Sequence, residues 1–267
     1  MAPRPQQGTT SDLTGHAALV TAAAGGAGRV IARTLHGAGA RVFACDVDED
    51  GLAALAADAP GIETATCDAG DPAAIGRTCD LAARRLDAPI TLLVNNVGIA
   101  GPTAAIEDVR LADWNAVLQV NLTGHFLFAQ GVIPAMKRAG GGLIVNISSA
   151  SAATGLPMRL PYVVSKSAVL GLTRNMAREL GPDGIRVNAI LPGPIRGERI
   201  ERVIAEKSRA LGVSEADYAA SLVRYTSLRT LVEPDDIAAT VAFLASRGGA
   251  RITGQLIGVD GNQEWEE

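Results

Sequence analysis

Residues 17–32 read AALVTAAAGGAGRVIA, in which an apolar run is followed by a glycine-rich turn and then by the start of a helical pattern. The apolar run Ala17–Thr21 predicts a buried strand, and Gly28 opens the first helix candidate. Glycines let the backbone of such a turn approach an anion closely, and the new helix offers unpaired N–H groups and the positive end of its dipole. We interpret the turn as a pyrophosphate site; a tight structural turn is the competing interpretation.

The same order of strand and helix repeats along the 267 residues. Short apolar runs predict seven strands, at Ala17–Thr21, Arg41–Cys45, Ile62–Thr66, Thr91–Val94, Leu143–Ile147, Arg186–Ile190 and Gln255–Val259. Longer periodic segments predict helices at Gly28–His36, Pro72–Leu86, Asp113–Arg138, Pro161–Leu180 and Pro234–Ser246. The alternation predicts an α/β fold, a Rossmann-type doubly wound parallel sheet of about seven strands with helices on both faces.

We expect one domain, because α/β folds of this length often form a single core. A catalytic domain is predicted for residues 12–267, after a flexible N-terminus at residues 1–11. Residues 196–232 are charged and interrupt the alternation just before its last unit. An insertion of this kind on a rigid scaffold often covers a site, so we interpret residues 196–232 as a lid over the substrate.

Composition excludes several classes of function. The net charge is −4 and the arginines are scattered, so no basic surface for nucleic acid is expected. The first eleven residues lack the apolar core of a signal peptide, and we expect no apolar run long enough to span a membrane. A cytoplasmic protein without nucleic-acid or membrane partners is predicted.

Cysteines and histidines belong to no recognisable metal or triad motif. The three cysteines, Cys45, Cys67 and Cys79, are odd in number and lack metal-ligand spacing, so we expect reduced thiols and no metal. Simple packing is the expected role, and a redox link between Cys45 and Cys67 is the alternative. We assign packing or surface roles, and no chemistry, to His16, His36 and His125.

Two aspartates follow neighbouring strands of the predicted sheet. Asp46 lies eighteen residues beyond Gly28, where a carboxylate accepts both hydroxyls of an adenosine ribose. A 2′-phosphate would meet Asp46 as a like charge, so the position favours NAD over NADP. The competing interpretation is that Asp46 caps a helix beginning near Asp48. Asp68 is predicted to reach the adenine edge, with turn chemistry as its alternative.

A phenol, an ammonium and a hydroxyl occur close together near the middle of the chain. Tyr162 and Lys166 are four residues apart, and Ser149 lies thirteen residues before Tyr162. Pro161 suits the first turn of a helix, so Tyr162 and Lys166 are expected on one helical face. An ammonium beside a phenol favours its ionised form, which can act as a general base toward an alcohol.

Taken together, these motifs resemble the short-chain dehydrogenase/reductase family from about Leu13 to Gly261. Its T-G-x-x-x-G-x-G resembles Thr21–Gly28, and its N-N-A-G resembles residues 95–98, which read Asn-Asn-Val-Gly. Asn121, the set Ser149, Tyr162 and Lys166, and the later segments Pro192-Gly193 and Thr253-Gly254-Gln255 follow in the family's order.

The resemblance implies roles for individual residues. Ser149 would hydrogen-bond the substrate oxygen, Tyr162 would exchange its proton, Lys166 would bind the nicotinamide ribose, and Asn121 would position a water. Ser149 and Tyr162 would contact the substrate, a small alcohol or ketone. The NAD site would comprise Thr21, Ala24, Gly26, Ala27, Gly28, Asp46, Asp68, Ala69, Asn95, Val97, Gly98, Tyr162, Lys166, Pro192, Gly193 and Ile195. The family resemblance also implies a homodimer or homotetramer.

The sequence departs from the family's pattern at several positions. Ala22 replaces the first glycine of the turn, so a slightly reshaped loop is expected there. Gly197 stands where the family often has threonine, and Asn262 replaces the last glycine of D-G-G. Trp265, in the acidic tail, is predicted either to pack on a neighbouring subunit or to be solvated.

We expect an NAD-dependent secondary-alcohol dehydrogenase or ketone reductase. The alternatives are an NADPH-dependent carbonyl reductase and a catalytically retired NAD-binding sensor or partner protein. Three arginines near the expected pocket could bind an acidic substrate, but surface salt bridges are the preferred interpretation for Arg159, Arg196 and Arg199.

Overall fold

A computed structural model describes residues 12–263, without the side chains of residues 198, 199, 206, 207, 210 and 211. It contains a seven-stranded parallel sheet in the order β3-β2-β1-β4-β5-β6-β7. The strands are β1 (Ala17–Thr21), β2 (Arg41–Asp46), β3 (Glu63–Thr66), β4 (Leu92–Asn95), β5 (Gly142–Ile147), β6 (Ile185–Pro192) and β7 (Leu256–Val259). The predicted fold class and number of strands are confirmed.

Helices cover both faces of the sheet. They are α1 (Gly26–Gly37), α2 (Glu49–Asp58), α3 (Pro72–Arg85), α4 (Leu111–Leu118), α5 (Gly124–Arg138), α6 (Ser151–Thr154), α7 (Leu160–Leu180), α8 (Glu198–Leu211), α9 (Glu215–Val223) and α10 (Pro234–Ala245). Residues 196–232, the predicted lid, hold α8 and α9. The predicted N-terminal segment 1–11 and Trp265 lie outside the described residues.

The core consists of two apolar layers, one on each face of the sheet. Along β1, Ala18 and Val20 pack with α1 and α10, whereas Ala17 and Leu19 pack on the opposite face with α3 and α5. Both faces are buried, so the strands are continuous apolar runs, and this is why their positions could be predicted. The three cysteines are buried and carry free thiols.

The helix α2 is absent from the sequence prediction. Its pattern is weak, because only Leu52 and Leu55 are buried in an alanine-rich segment. Asp48 caps it by accepting a hydrogen bond from the N–H of Gly51 at 3.0 Å. The alternative interpretation of Asp46 as the cap of this helix is therefore wrong, since Asp48 fills that position.

The predicted helix Asp113–Arg138 is two helices, α4 and α5, joined by a π-helical turn at Gln119–Thr123. The continuous helical run Leu111–Arg138 has 28 residues and contains an 18-residue window with a mean hydropathy of 1.2, so by length and composition it could cross a membrane. The expectation that no run reaches this length is wrong. Phe128, Val132 and Met136 nevertheless lie in the protein core, as in the central helix of a globular domain.

All seven strands are parallel, so their carboxyl ends meet at one edge of the sheet. The strand order reverses between β1 and β4, since α1 returns the chain to one side and the later units build on the other. In open α/β sheets a ligand crevice forms outside the carboxyl ends at such a point. The segments that follow β1 to β6 carry the predicted site residues to this edge.

Candidate active site

The glycine-rich turn leaves the beginning of α1 open to a ligand. The N-cap residue Gly25 contributes no side-chain hydrogen bond, and no atom lies within 4 Å of where a Cβ of Gly25 or Gly26 would be. At Gly28, in contrast, a Cβ would lie 2.0 Å from the carbonyl oxygen of Ala22 and 2.6 Å from Asn96 Nδ2. Gly28 is therefore required for close packing of α1, while the space beside Gly25 and Gly26 at the start of the helix is open, and a helix N-terminus suits an anion.

Thr21 ties the end of β1 to the segment after β4. Its Oγ1 accepts hydrogen bonds from the backbone N–H groups of Asn96 and Val97, each at 3.0 Å. The side chain of Asn96 donates in return to the carbonyl oxygens of Thr21 and Ala22, at 3.2 and 3.0 Å. The two loops on either side of the reversal point are thus held as one unit.

Ala22 has φ of +52°, the left-handed region that favours glycine. The turn keeps this conformation although the residue carries a Cβ, and such a conformation costs roughly 1–2 kcal/mol.

We expect Ala22→Gly to stabilise the protein by about 1 kcal/mol, because the strain is removed at a modest cost in unfolded-chain entropy. The thermal midpoint should rise by about 2–4 °C. The matched control is Ala24→Gly, two residues away, which has no positive φ and should lose stability. A lowered midpoint for Ala22→Gly in a thermal melt would show that the strain is not relieved.

Asp46 lies at the end of β2, beside the glycine-rich turn. One carboxylate oxygen accepts the N–H of Ala24 at 3.0 Å, and the other accepts the N–H groups of Val47 and Asp48 at 2.7 and 3.2 Å. The carboxylate is half-buried and is thereby aimed at the glycine turn, with lone pairs left for further donors.

Arg29 and Asp68 lie on the same side of the site. The guanidinium of Arg29 forms an ion pair with Asp58 and approaches the carbonyl oxygen of Ala24 at 3.5 Å. Asp68 Oδ1 accepts the N–H of Gly70 at 2.7 Å, so the turn chemistry predicted as its alternative role is present. Ala69, beside it, is buried.

The ammonium of Lys166 is buried beside Tyr162. Lys166 is only 4% exposed, its Nζ donates to the carbonyl oxygen of Ile147 at 2.8 Å, and it lies 6.0 Å from the centre of the Tyr162 ring. A Cβ on Gly98 would come within 3.1 Å of Nζ, so glycine gives the ammonium its space. A buried lysine is rare because desolvating a charge is costly, which makes this position a candidate for chemistry.

The two serines after β5 have different surroundings. Ser148 is buried, and its hydroxyl donates to the carbonyl oxygen of Lys166 at 2.8 Å. Ser149 is half-buried, and its hydroxyl shares a hydrogen bond of 2.9 Å with that of Ser151. Ser148 thus joins β5 to α7. The hydroxyl of Ser149 instead contacts that of Ser151, a hydrogen-bond partner that the sequence did not predict.

Asn121 is fully buried in the π-helical turn. Its Oδ1 accepts the N–H of Ile99 at 2.8 Å, and its Nδ2 donates to the Ile99 carbonyl and to the Ser165 hydroxyl, both at 3.0 Å. Ser165 in turn donates to the carbonyl oxygen of Tyr162 at 2.7 Å. The side chain of Asn121 therefore binds protein groups that tie the loop after β4 to α7. The sequence did not predict that Ile99 and Ser165 take part in this network. The only sign for Ser165 was its position next to Lys166.

His125 is a further buried polar residue beneath the site. Its Nε2 contacts the carbonyl oxygen of Val97 at 2.9 Å, and its own carbonyl accepts from Asn95 Nδ2 at 3.1 Å. Complete burial, with a smaller contribution from the charge of Lys166, lowers the pKa of His125 from 6.5 to about 3. His125 therefore has a packing role, and it holds Asn95 and Val97, two residues that are expected to contact the cofactor.

Acid should destabilise the fold through His125. The unfolded histidine takes up a proton near pH 6.5 and the folded one only near pH 3. The stability that its neutral form contributes is therefore complete above pH 6.5 and is lost as the pH falls toward 3, by about 1.4 kcal/mol per pH unit. We expect His125→Gln to weaken the pH dependence of the unfolding free energy by the equivalent of about one bound proton. The measurement is denaturant titration at a series of pH values between 7 and 4. An unchanged slope would contradict the assignment.

The end of β6 forms the remaining wall of the edge. The N–H of Gly193 donates to the carbonyl oxygen of Val259 at 3.0 Å, and a Cβ on Gly193 would lie 3.0 Å from the Cα of Asp260. Ile195 pairs with Val232 across the base of the 196–232 segment. Pro192 is the last residue of β6, so Pro192, Gly193 and Ile195 lie at the same edge as the other predicted cofactor residues.

The departures from the family's pattern and the arginines have definite environments. Gly197 has φ of +141°, a region that favours glycine, and it precedes α8. Asn262 also has a positive φ, of +58°, and donates to the Ser227 hydroxyl at 2.7 Å.

Arg196 forms an exposed ion pair with Glu233 at 2.7 Å, as expected. Arg159 donates to the Thr103 hydroxyl and to the carbonyl oxygen of Ala100. The side chain of Arg199 lies outside the part of the chain that the structure describes.

Among residues 12–263, no group of three histidine, cysteine or acidic side chains is arranged to hold a metal ion. The residues brought together at the carboxyl edge are instead a glycine-rich turn at the start of a helix, a half-buried carboxylate and a buried ammonium beside a phenol.

Comparison with known proteins places this arrangement in a family. Residues 22–261 match the family model described as enoyl-(acyl carrier protein) reductase. The D-threitol dehydrogenase of Mycolicibacterium smegmatis is 36% identical over 253 residues, which are 93% of this chain and 93% of that protein. The chain belongs to the short-chain dehydrogenase/reductase family.

Solved structures of other members agree with the fold of this short-chain dehydrogenase/reductase. An actinorhodin polyketide ketoreductase variant with NADPH has a TM-score of 0.87 and 32% identity, with 92% of this chain and 96% of that chain covered. An NAD⁺-bound xylitol dehydrogenase has a TM-score of 0.86 and 29% identity, with 93% and 99% covered. The chain is therefore an oxidoreductase of this family, whose relatives include both dehydrogenases and reductases that use a nicotinamide cofactor.

Proposed function

We propose that this protein transfers a hydride between NAD and a secondary alcohol or ketone of small-molecule size. The observation that carries the proposal is the buried Lys166 ammonium, 6.0 Å from the Tyr162 ring centre, at the same sheet edge as the glycine turn. A phenol beside a buried ammonium is the pair of groups that proton exchange with an alcohol or ketone oxygen would use.

The catalytic set is Asn121, Ser149, Tyr162 and Lys166. Tyr162 exchanges a proton with the substrate oxygen through its hydroxyl, and the Ser149 hydroxyl hydrogen-bonds the same oxygen. Lys166 lies beside the phenol and would donate to a ribose hydroxyl of the bound cofactor. Asn121 holds Ile99 and Ser165, and so keeps the loop after β4 against α7. The nicotinamide ring, when bound, supplies or accepts the hydride.

The residues around the turn fit such a cofactor. The open N–H groups before Gly28 suit a pyrophosphate, and the Asp46 carboxylate suits two ribose hydroxyls. The site would comprise the sixteen residues named above, from Thr21 to Ile195. Because Asp46 carries a negative charge where a 2′-phosphate would lie, NAD is the proposed cofactor.

An NADPH-dependent carbonyl reductase is the second candidate. It is favoured by the NADPH in the structure of the similar polyketide ketoreductase. Arg29 is a cation near the turn, at 3.5 Å from the Ala24 carbonyl, but it is paired with Asp58. This pairing makes Arg29 a poor partner for a phosphate, and so supports NAD.

The test is an absorbance assay at 340 nm with a panel of ketones and ketoses, run with NADH and with NADPH. We expect turnover with at least one ketone and at least tenfold higher kcat/KM with NADH. NADH binding detected by fluorescence, without turnover across the panel, would instead favour a catalytically retired sensor or partner protein.

We also propose a cytoplasmic homodimer or homotetramer, with residues 12–267 as one catalytic domain and residues 196–232 as its substrate lid. The exposed apolar side chains of Leu111 and Phe126 on α4 and α5 support an interface there. Sedimentation analysis should give a mass of two or four chains, and a monomer at micromolar concentration would contradict this assembly.

A further inference from the structure

Residues 99–105 form an irregular segment between Gly98 and the 3₁₀ turn Ile106–Asp108. At its beginning, Asn121 holds Ile99 through two hydrogen bonds of 2.8 and 3.0 Å. The rest of the segment lies against the residues that precede α7. The position of this segment is therefore set by contacts with the active-site helix, and not by secondary structure of its own.

Arg159 makes the second set of contacts. Its Nη2 donates to the carbonyl oxygen of Ala100 at 3.0 Å, and its Nη1 donates to Thr103 Oγ1 at 3.1 Å. Beside it, the N–H of Ala104 donates to the carbonyl oxygen of Met158 at 3.0 Å. Three hydrogen bonds thus join residues 100–104 to residues 158–159, which are more than fifty positions away in the sequence.

The same guanidinium lies against Tyr162. Its central carbon is 5.8 Å from the centre of the tyrosine ring, a distance at which a cation is attracted to an aromatic face. Arg159 precedes the first turn of α7, and Met158 has φ of +64°, a conformation that L side chains rarely adopt. Such a backbone persists only where surrounding contacts hold it, and the three hydrogen bonds are such contacts.

An open, mainly apolar surface cavity of about 510 Å³ lies between the two joined segments. Its lining includes Ala104, Leu156, Met158 and Val163, and Val163 is the residue after Tyr162. A shift of residues 100–104 would change the shape of this cavity and the space beside the tyrosine.

We propose that Arg159 is a positioning residue: its guanidinium holds residues 100–104 against the start of α7 and so fixes one wall of the substrate site beside Tyr162. The guanidinium of arginine holds its donors on separate nitrogens in a fixed plane, whereas all donors of a lysine ammonium come from a single nitrogen, so lysine matches two separated oxygens less well. The catalytic consequence rests on the proposed function, whereas the structural one does not.

The first test measures hydrogen exchange in the full-length protein without ligand. In Arg159→Met we expect the exchangeable amides of residues 100–104, above all that of Ala104, which donates to the Met158 carbonyl, to exchange at least tenfold faster than in the wild type, with unchanged exchange in the second half of α7. The matched control is Arg110→Met, since Arg110 is an exposed arginine paired with Asp113 just after this segment. Unchanged exchange of residues 100–104 in Arg159→Met would overturn the proposal.

The second test measures steady-state kinetics with a ketone turned over by the wild type. We expect kcat/KM of Arg159→Met to fall at least tenfold, mainly through KM, with the Kd for NADH within about twofold of the wild type. Arg159→Lys should recover only part of the loss. A loss of thermal stability with unchanged KM would mean that Arg159 has only a structural role, and would overturn the catalytic part.

If Arg159→Met fails to fold, Thr103→Val removes one acceptor alone and should speed exchange of residues 100–104 about threefold; no change there would contradict the proposal. If the wild type turns over no ketone, the proposed function fails, and the exchange measurement still decides whether Arg159 holds the segment.

Discussion

Tyr162→Phe should lower the rate of alcohol oxidation and of ketone reduction by roughly 10³-fold, within the range that a positioned acid or base contributes. The substitution removes the one hydroxyl that we propose exchanges the substrate proton. The ring itself remains, and with it the packing between Lys166 at 6.0 Å and Arg159 at 5.8 Å. NADH affinity should therefore stay within about twofold.

The measurement is kcat from NADH absorbance together with Kd from NADH fluorescence, on the same preparation. Loss of both quantities would indicate a disturbed site, since the phenol oxygen alone should not hold the cofactor. A variant that keeps more than a tenth of the wild-type kcat would exclude Tyr162 as the proton-exchanging group.

Asp46→Asn should change the ratio of kcat/KM for NADH over NADPH by about 100-fold in favour of NADPH. The substitution keeps the size of the side chain and removes the charge that would oppose a 2′-phosphate. One of the two oxygens that accept backbone N–H groups becomes an NH2 group, so part of the hydrogen bonding to Ala24, Val47 and Asp48 is lost as well. The expected change corresponds to about 2.7 kcal/mol. Two unit charges near a protein surface interact by about 4 kcal/mol at 4 Å, and the half-exposure of Asp46 weakens this.

Asp48→Asn is the matched control for Asp46→Asn. Asp48 is also an aspartate after β2, but its carboxylate caps α2 through the N–H of Gly51. Asparagine is an equally good cap, so stability should be unchanged, and the cofactor ratio should stay within about threefold of the wild type. An equal change of the cofactor ratio in both variants would mean that the overall charge, and not the position of Asp46, causes the effect. An unchanged ratio in Asp46→Asn would contradict the argument that Asp46 selects NAD.

Much of the fold was predictable because buried parallel strands are continuous apolar runs with glycine or aspartate at their ends. The run Ala17–Thr21 coincides with β1, and the remaining strands differ from prediction by one or two residues at either end. The helix α2 was missed because only two of its residues, Leu52 and Leu55, face the core. A stable helix there depends on contact with the sheet, which has no local signature.

The break between α4 and α5 could not be predicted for a related reason. The segment Gln119–Thr123 contains no proline or glycine that would break a helix, and the π-helical turn places Asn121 against Ile99, twenty-two residues earlier. A partner this distant is set by the tertiary fold. The same applies to Arg159, whose acceptors Ala100 and Thr103 lie on another loop.

The candidate site was predictable in its identity but not in its connections. Spacing located Ser149, Tyr162 and Lys166, because the chemistry needs those residue types within reach of one another. Nothing in the sequence indicated that His125 supports the carbonyl oxygen of Val97, since a lone histidine in an apolar helix gives no sign of its partner. Residues that hold the catalytic groups in place are found only when the packing is known.

The central claim, hydride transfer between NAD and a carbonyl carbon, is tested most directly by following deuterium. The protein would be incubated with NADH deuterated at the transferring position of the nicotinamide and with a mixture of ketones and ketoses, and the products would be analysed by mass spectrometry. We predict an alcohol that carries one deuterium on its carbinol carbon, formed by the wild type and absent with Tyr162→Phe. Bound NADH with no deuterium in any product would contradict the account.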